Sequence, residues 1–177
     1  HQLVTALRVP VVTCWNSIDM IATDSPYYCG RGGNMGDRAG NFAVQNSDFL
    51  LCIGTRLSIY QVGWDVKTWA REARTVVVDI DPHELQKPTI RVDIPVCADA
   101  KELMEQMLEK TPMPSVATDW LKQCQRWKER YPVVQKRQYE EVGCCNVYAF
   151  IDTLSRRLPT HAVTVVANGS ASVEALI

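Results

Sequence analysis

Two short apolar runs in the segment Ser47 to Asp81 constrain the fold of this chain more than any other feature. Phe49 to Ile53 and Val76 to Ile80 each have the length and side chains of a buried strand. The first run is followed by a glycine turn and an arginine, and the second ends in two carboxylates. The segment between them, Trp64 to Arg74, has a helical composition. This order is the outline of a nucleotide-binding half-fold.

The same alternation of strands and helices extends along the chain. Further strands are predicted at Val9 to Cys14, Ile90 to Pro95, Val96 to Ala98 and Val163 to Ala167. The strand that contains Val76 to Ile80 is predicted to begin at Thr75. Further helices are predicted at Ile18 to Ala22, Asn41 to Ser47, Ala100 to Lys110, Asp119 to about Glu141 with a bend at Pro132, and Val147 to Leu158. The pattern predicts an α/β fold with a parallel sheet flanked by helices.

Three side chains are predicted to cap helices. Asp81 precedes a proline at the first helical position, Asp99 precedes the helix Ala100 to Lys110, and Asn146 precedes the helix Val147 to Leu158. In the charged helix from Asp119, the side chains of Trp120, Cys124 and Trp127 share one side. We therefore expect that helix to pack against another part of the chain.

Charge and hydropathy exclude two classes of function. Nineteen basic and twenty acidic residues give a net charge of -1, so no global field favours nucleic acid or an anionic membrane. The longest apolar runs have about five or six residues, far fewer than the roughly 18 that cross a bilayer.

Seven cysteines without CxxC spacing indicate reduced, mostly buried thiols. We expect a cytoplasmic protein and, because neither end has the character of a domain terminus, part of a longer polypeptide.

Three places are candidates for ligand contact. The loop Tyr27 to Gly40 carries five glycines, which serve either a bound phosphate or the turns of a packed loop. Gly54-Thr55-Arg56 follows a strand, where open α/β sheets bind ligands, and an arginine there clamps a phosphate or is an ordinary surface residue. Asp79 is a candidate acceptor for ribose hydroxyls. No catalytic nucleophile or metal ligand is indicated, since His1, His83 and His161 each stand alone.

The order of these motifs resembles the middle domain of thiamine-diphosphate-dependent enzymes of the acetolactate synthase type. The motifs are P-V-V-T-C-W-N, a glycine loop ending in G-N-F-A, N-S-D-F-L-L-C-I-G-T-R-L, V-V-V-D-I-D-P-H-E-L-Q-K and V-C-A-D-A. The resemblance implies a Rossmann-like central domain over residues 1-113, a linker helix over 114-145 and the beginning of the diphosphate-binding domain over 146-177.

In such enzymes the cofactor lies between the first domain of one subunit and the third domain of another. The resemblance therefore implies thiamine diphosphate and Mg²⁺ in the full-length enzyme, a 2-keto acid substrate, and a homodimer or homotetramer. The activating glutamate and the motif that holds Mg²⁺ belong to parts of the family that this chain lacks. The fragment is accordingly expected to be inactive alone.

Central domains of the family bind FAD, ADP or coenzyme A, or serve as scaffolds. The matching cofactor-binding positions here are Gly54, Thr55, Arg56, Asp79, Ile80 and Asp81. Members that hold FAD usually follow the arginine with F-D-x-R, whereas Leu57-Ser58-Ile59-Tyr60 stands here and argues against FAD. Near the chain's end, Asn168, Gly169 and Ser170 stand where the family approaches the diphosphate, or form a plain turn.

Two hypotheses follow. In the first, the chain is part of a thiamine-diphosphate-dependent 2-keto acid decarboxylase or carboligase, and its central domain is structural or binds a nucleotide. In the second, the chain is a non-catalytic nucleotide-binding or scaffold module.

Overall fold

The computed structural model describes residues 1-110, 118-166 and 169, and confirms an α/β fold with parallel strands flanked by helices. One sheet pairs β1 (Val11–Thr13) with β2 (Tyr28–Arg31). The other has the order β3-β4-β5, formed by Phe49–Ile53, Arg74–Asp79 and Ile94–Cys97. All three pairings are parallel. The carboxyl ends of β3, β4 and β5 therefore meet at one edge.

The described helices are short. They are α1 (Gln2–Leu7), α2 (Arg38–Gln45), α3 (Ile59–Val62), α4 (Pro82–Gln86), α5 (Ala100–Glu109), α6 (Thr118–Arg130), α7 (Lys136–Tyr139) and α8 (Val147–Ser155). Short 3-10 turns lie at Trp15–Ser17 and Val66–Thr68. Among the described residues, no helix has the length and apolar character needed to span a membrane.

The core is centred on β4, which has a hydrogen-bonded strand on each side. Thr75, Val77 and Val78 of this strand are at most 3% exposed. Burying an aliphatic side chain of this size contributes about 1.5–3 kcal/mol to stability. Cys52 of β3 and Leu85 of α4 belong to the same buried cluster as Val77. The two apolar runs that predicted the fold are thus neighbouring strands over a shared core.

The predicted loop Tyr27 to Gly40 is partly wrong, because it contains β2 and the first turn of α2. The helix starts at Arg38 rather than near Asn41, since the Asp37 carboxylate accepts a hydrogen bond from the Gly40 amide at 2.7 Å and caps it there. The Arg31 amide donates to the other oxygen of Asp37 at 2.8 Å. One carboxylate thereby joins the end of β2 to the start of α2.

Two predicted helices are absent from the structure. Residues 64-73 form the 3-10 turn Val66–Thr68 and further turns, because a φ of +46° at Ala70 is incompatible with a right-handed helix, and Arg74 already belongs to β4. Ile18 to Ala22 is not helical either. The hydroxyl of Ser17 instead closes a local turn with the backbone of Cys14. Hydroxyl groups that bond nearby backbone compete with helix in this way.

Two further expectations need adjustment. The two extended pieces predicted between Ile90 and Ala98 are a single strand, β5. The predicted strand at Val163 to Ala167 is wrong for residues 163-166, which have no regular structure, and residue 167 lies outside the described residues. Val163 and Val165 are about nine-tenths exposed. Among the described strands none pairs with this segment, so nothing satisfies its backbone groups as a sheet would.

The charged helix packs on the central unit, as its apolar side predicted, and it ends at Arg130 before the bend. The Trp127 ring lies 5.7 Å from Phe42 of α2 and 5.6 Å from Trp120. Below these rings, Cys124 and Cys29 of β2 are fully buried in one cluster. This set of side chains, the aromatic seam, fixes α6 against α2 and β2. The predicted boundary at residue 113 lies outside the described residues.

All seven cysteines are free thiols, as predicted, but most of them are not buried. Only Cys29, Cys52 and Cys124 are buried, whereas Cys97, Cys144 and Cys145 are exposed. The exposed thiols lie at the end of β5 and in the segment before α8.

Candidate functional site

The candidate site is the edge formed by the carboxyl ends of β3, β4 and β5. Ile53 pairs with Val78, and Asp79 pairs with Cys97, so the residues that follow these strands are neighbours. The structure thus brings the predicted positions 54-56 and 79-81 together. In open parallel sheets this edge is the usual place for a ligand.

Gly54 makes the turn that ends β3. Its φ is +61°, and a Cβ there would have only the Cβ of Ala100, at 3.8 Å, as a close neighbour. The backbone conformation, and not lack of space, therefore favours glycine. The Gly54 amide donates to the carbonyl of Val78 at 2.9 Å, which extends the pairing of β3 with β4. This amide is consequently engaged within the protein.

Thr55 links the two sheets across this edge. Its Oγ1 lies 3.3 Å from the Sγ of Cys14, which follows β1. Two residues later, Leu57 is 4% exposed and has a φ of +46°, an uncommon conformation for a residue with a branched side chain. The turn after β3 is thus held by contacts on both sides, and the buried Leu57 anchors it in the core.

Arg56 is paired with a carboxylate of the same chain. Its Nε donates to Oε1 of Glu84 at 2.9 Å, and its Nη2 contacts the same oxygen. Nζ of Lys87 donates to Oε2 of Glu84 at 2.8 Å and also to the Arg56 carbonyl. Lys87 first, and Arg56 second, lower the pKa of Glu84 to about 2. A phosphate that accepted hydrogen bonds from both Nε and Nη2 of Arg56 would have to compete with Glu84 for them.

The two aspartates after β4 mainly organise the backbone. Asp81 Oδ1 accepts from the His83 amide at 2.9 Å, which confirms the predicted cap of α4. Asp79 Oδ1 accepts from the Asp81 amide at 2.9 Å. Asp79 as a ribose ligand stays a prediction. Ile80, between them, is 70% exposed at this edge.

Most carboxylates at this edge bond to backbone amides or to cations. Asp99 caps α5 by accepting from the amides of Lys101 and Glu102, as predicted. Together with Asp79, Asp81 and Glu84 it gives the edge four acidic side chains. Such an edge has little excess positive charge for a diphosphate.

The glycine loop is packed on its own chain. The amides of Gly32, Gly33 and Gly36 donate to the carbonyl of Thr13, to Asn41 Oδ1 and to the carbonyl of Gly33. A Cβ at Gly33 would lie 2.2 Å from the carbonyl oxygen of Tyr60. Of the two alternatives for this loop, the contacts favour packing, because these donors already have partners.

Two buried polar atoms near this loop, Thr13 Oγ1 and Arg31 Nε, have no hydrogen-bond partner among the described residues. Nε of Arg31, at the carboxyl end of β2, is buried and makes no hydrogen bond. Near the chain's end, Gly169 is exposed in a turn with a φ of +107°. Asn168 and Ser170 lie outside the described residues, so their predicted role in diphosphate contact stays a prediction.

The sequence did not single out Glu84 and Lys87, which determine that the Arg56 side chain is held in an ion pair. One signal was available, because the two residues are three apart, with Glu84 in the first turn of α4 and Lys87 at its C-cap. Residues at that spacing share a helix face, and this face meets the turn after β3. Within the described residues, no group of three or more His, Cys, Asp or Glu side chains could hold a metal ion.

Comparison with known proteins identifies the family. Residues 1–107 match the family described as thiamine pyrophosphate enzyme, central domain. The probable acetolactate synthase large subunit of Methanocaldococcus jannaschii is 36% identical over 107 residues, which cover 60% of this chain and 18% of that protein. The acetolactate synthase large subunit of Corynebacterium glutamicum is 31% identical over 161 residues, which cover 88% of this chain and 25% of that protein.

A third relative, the acetolactate synthase isozyme 2 large subunit of Escherichia coli, is 27% identical over 92% of this chain and 28% of its own length. The matched residues thus span 18% to 28% of the length of these relatives. Taken with the parallel α/β fold, the match shows that this chain belongs to the thiamine pyrophosphate enzyme family, with residues 1–107 forming a central domain.

Proposed function

We propose that this chain is the central part of a thiamine-diphosphate-dependent enzyme of the acetolactate synthase type. The complete enzyme decarboxylates a 2-keto acid, pyruvate in the first instance, and passes the acyl-anion equivalent to an acceptor. In this chemistry the cofactor stabilises the carbanion, and the protein supplies orientation and electrostatics. The observation that supports the proposal is the family match over residues 1–107, together with acetolactate synthase relatives that extend over up to 92% of the chain.

The described residues do not fit the diphosphate and its metal ion. Mg²⁺ requires oxygen ligands in near-octahedral geometry, and the described part of this chain contains no group of three or more His, Cys, Asp or Glu side chains that could hold a metal ion. We therefore assign the binding of thiamine diphosphate and Mg²⁺ to other parts of the polypeptide, in a cytoplasmic homodimer or homotetramer. No catalytic step involves the residues described above.

Within that enzyme, the proposed role of this central domain is architectural. The pairing of Arg56 with Glu84 supports this role, because the one cation aligned with the family's nucleotide contacts is already neutralised. A nucleotide at this edge is the second candidate. The side chain of Arg56 is 78% exposed, so its remaining guanidinium donors are accessible to a ligand, and this favours the second candidate.

The activity can be tested with the complete polypeptide that carries this chain. Incubated with thiamine diphosphate, Mg²⁺ and pyruvate, it should release carbon dioxide and form acetolactate, and omission of the cofactor should abolish both. The 177-residue chain is the matched control and should form no product. If the complete polypeptide consumed neither pyruvate nor other 2-keto acids under these conditions, the proposal would be refuted.

The architectural role has its own test. The purified polypeptide is denatured, and any released small molecule is identified by mass spectrometry. We expect no FAD, no ADP and no coenzyme A. Release of any of the three in stoichiometric amount would replace the architectural role by nucleotide binding, while leaving the enzymatic proposal intact.

A further inference from the structure

A second concave surface lies at the opposite edge of the three-stranded sheet. It is an open cleft of about 430 Å³ at the amino end of β4, where Thr75 forms part of its wall. The apolar part of the wall includes the half-buried Trp69 and the buried Ile90. A volume of this size is within the range of small-molecule sites, which is about 300–1,000 Å³. We refer to it as the amino-end cleft.

The charged residues that line this cleft are all positive. Its lining includes Lys67, Arg71 and Arg91, and no acidic side chain. Nε of Arg91 lies 3.2 Å from Oδ1 of Asp93, which compensates its charge. Lys67 and Arg71 are exposed, and within the described part of the chain neither forms an ion pair. Two positive charges are thus free beside an apolar wall, in a chain whose net charge is -1.

The wall of the cleft is held in place by β4. Thr75 Oγ1 donates to the carbonyl of Arg91 at 2.8 Å, and the Thr75 amide donates to Asp93 Oδ2 at 2.8 Å. Nη2 of Arg91 donates to the carbonyl of Ala73 at 2.7 Å. These bonds fasten the segment before β5 to the strand. A ligand would therefore meet a preformed surface, which lowers the entropy cost of binding.

We propose that the amino-end cleft binds a small organic dianion with an apolar body. Lys67 and Arg71 would bind the two negative charges, and Trp69 and Ile90 would contact the apolar part. Phosphate monoesters and aromatic dicarboxylates both have this chemistry. The carboxyl edge offers the reverse arrangement, since its arginine is paired and four carboxylates lie nearby. The two edges of one sheet thus differ in their electrostatic preference for anions.

Titration calorimetry on the complete polypeptide, saturated with thiamine diphosphate, tests the proposal. The probes are phenyl phosphate and phthalate, with inorganic phosphate and phenol as partial probes that lack the apolar body or the charge. At least one dianion should bind, and whichever binds more tightly distinguishes a phosphate from a dicarboxylate source. Each partial probe should bind at least about tenfold more weakly, which corresponds to about 1.4 kcal/mol.

Variants locate the binding. Lys67→Gln with Arg71→Gln should weaken dianion binding at least about tenfold, since charge-assisted hydrogen bonds are lost. The matched control, Lys101→Gln with Lys122→Gln, removes the same charge from exposed helix positions and should change affinity less than about twofold. Both pairs are exposed, and equal melting temperatures would show that folding is unaffected. Absence of dianion binding, an equal loss in both double variants, or no loss in the first would overturn the proposal.

Discussion

Substitution of Gly33 by alanine tests whether the glycine loop is packed or open. Gly33 has a φ of +102°, and an added Cβ would lie 2.2 Å from the carbonyl oxygen of Tyr60 and 2.9 Å from the Cα of Gln61. Both neighbours are backbone atoms, so no side-chain rotation relieves the overlap. A packed loop must shift, whereas an open one would accept the methyl group.

The cost has two parts. A positive φ at a residue other than glycine costs about 1–2 kcal/mol, and overpacking by a methyl group costs about 1–3 kcal/mol. Gly143→Ala is the matched control, because Gly143 has a φ of +93° and no atom within 4 Å of the added Cβ. Alanine also lowers the entropy of the unfolded chain, by a similar amount in both variants. The difference between them therefore isolates the steric part, about 1–3 kcal/mol.

The measurement is the free energy of unfolding of the 177-residue chain from urea titrations followed by tryptophan fluorescence. Gly33→Ala should be less stable than Gly143→Ala by about 1–3 kcal/mol, with an unchanged dependence on urea. Gly54→Ala, with a φ of +61° and 3.8 Å of clearance, should behave like the control. A difference below about 0.5 kcal/mol, the usual scatter of surface substitutions, would refute the packed loop.

Three other outcomes follow from the structure. Trp127→Ala should lower the free energy of unfolding by about 2 kcal/mol because it removes two ring contacts. Trp64 is 85% exposed, so Trp64→Ala should change the free energy of unfolding by less than about 0.5 kcal/mol. Urea titration measures both changes. The pKa of Glu84 is lowered from 4.5 to about 2, so the stability that its ion pairs contribute should be complete above pH 4.5 and decline as the pH falls to about 2, where Glu84 itself becomes protonated. Carboxyl NMR titration reads this directly, and a midpoint near 4.5 would contradict the pairing. A thiol reagent followed by mass spectrometry should label Cys97 in the native chain but Cys52 only after unfolding, because burial raises the pKa of Cys52 to about 12; rapid native labelling of Cys52 would contradict its burial.

The sequence predicted those elements whose signals are local. The strands around Cys52 and Val77 are continuous apolar runs, and the caps at Asp81 and Asp99 stand directly before their helices. Such features depend on a few neighbouring residues, so composition and spacing are sufficient to find them. The parallel arrangement followed from the order of these elements.

The misplaced features depend on residues distant in sequence. The strand β2 contains a glycine and was hidden in a glycine-rich loop, since its pairing with β1 and the Asp37 carboxylate, rather than propensity, stabilises it. The state of Arg56 depends on Glu84, 28 residues away. A pattern of residue types shows that a cation follows β3, but only the fold shows which carboxylate reaches it.

The aromatic seam gives α6 a fixed orientation, which the length of the helix alone would not provide. A helix of 13 residues is about 20 Å long, and a flexible segment of the same length would have a root-mean-square span of about 20 Å as well. The helix and the flexible segment span the same distance, but only the helix fixes the direction in which the chain continues. A flexible tether would let the chain after Arg130 explore a sphere, whereas the docked helix delivers it to one point. Removing the Trp127 contacts would therefore convert a rigid connection into a flexible one. The residues after Arg130 would then lose their fixed position, although none of their own contacts had been changed.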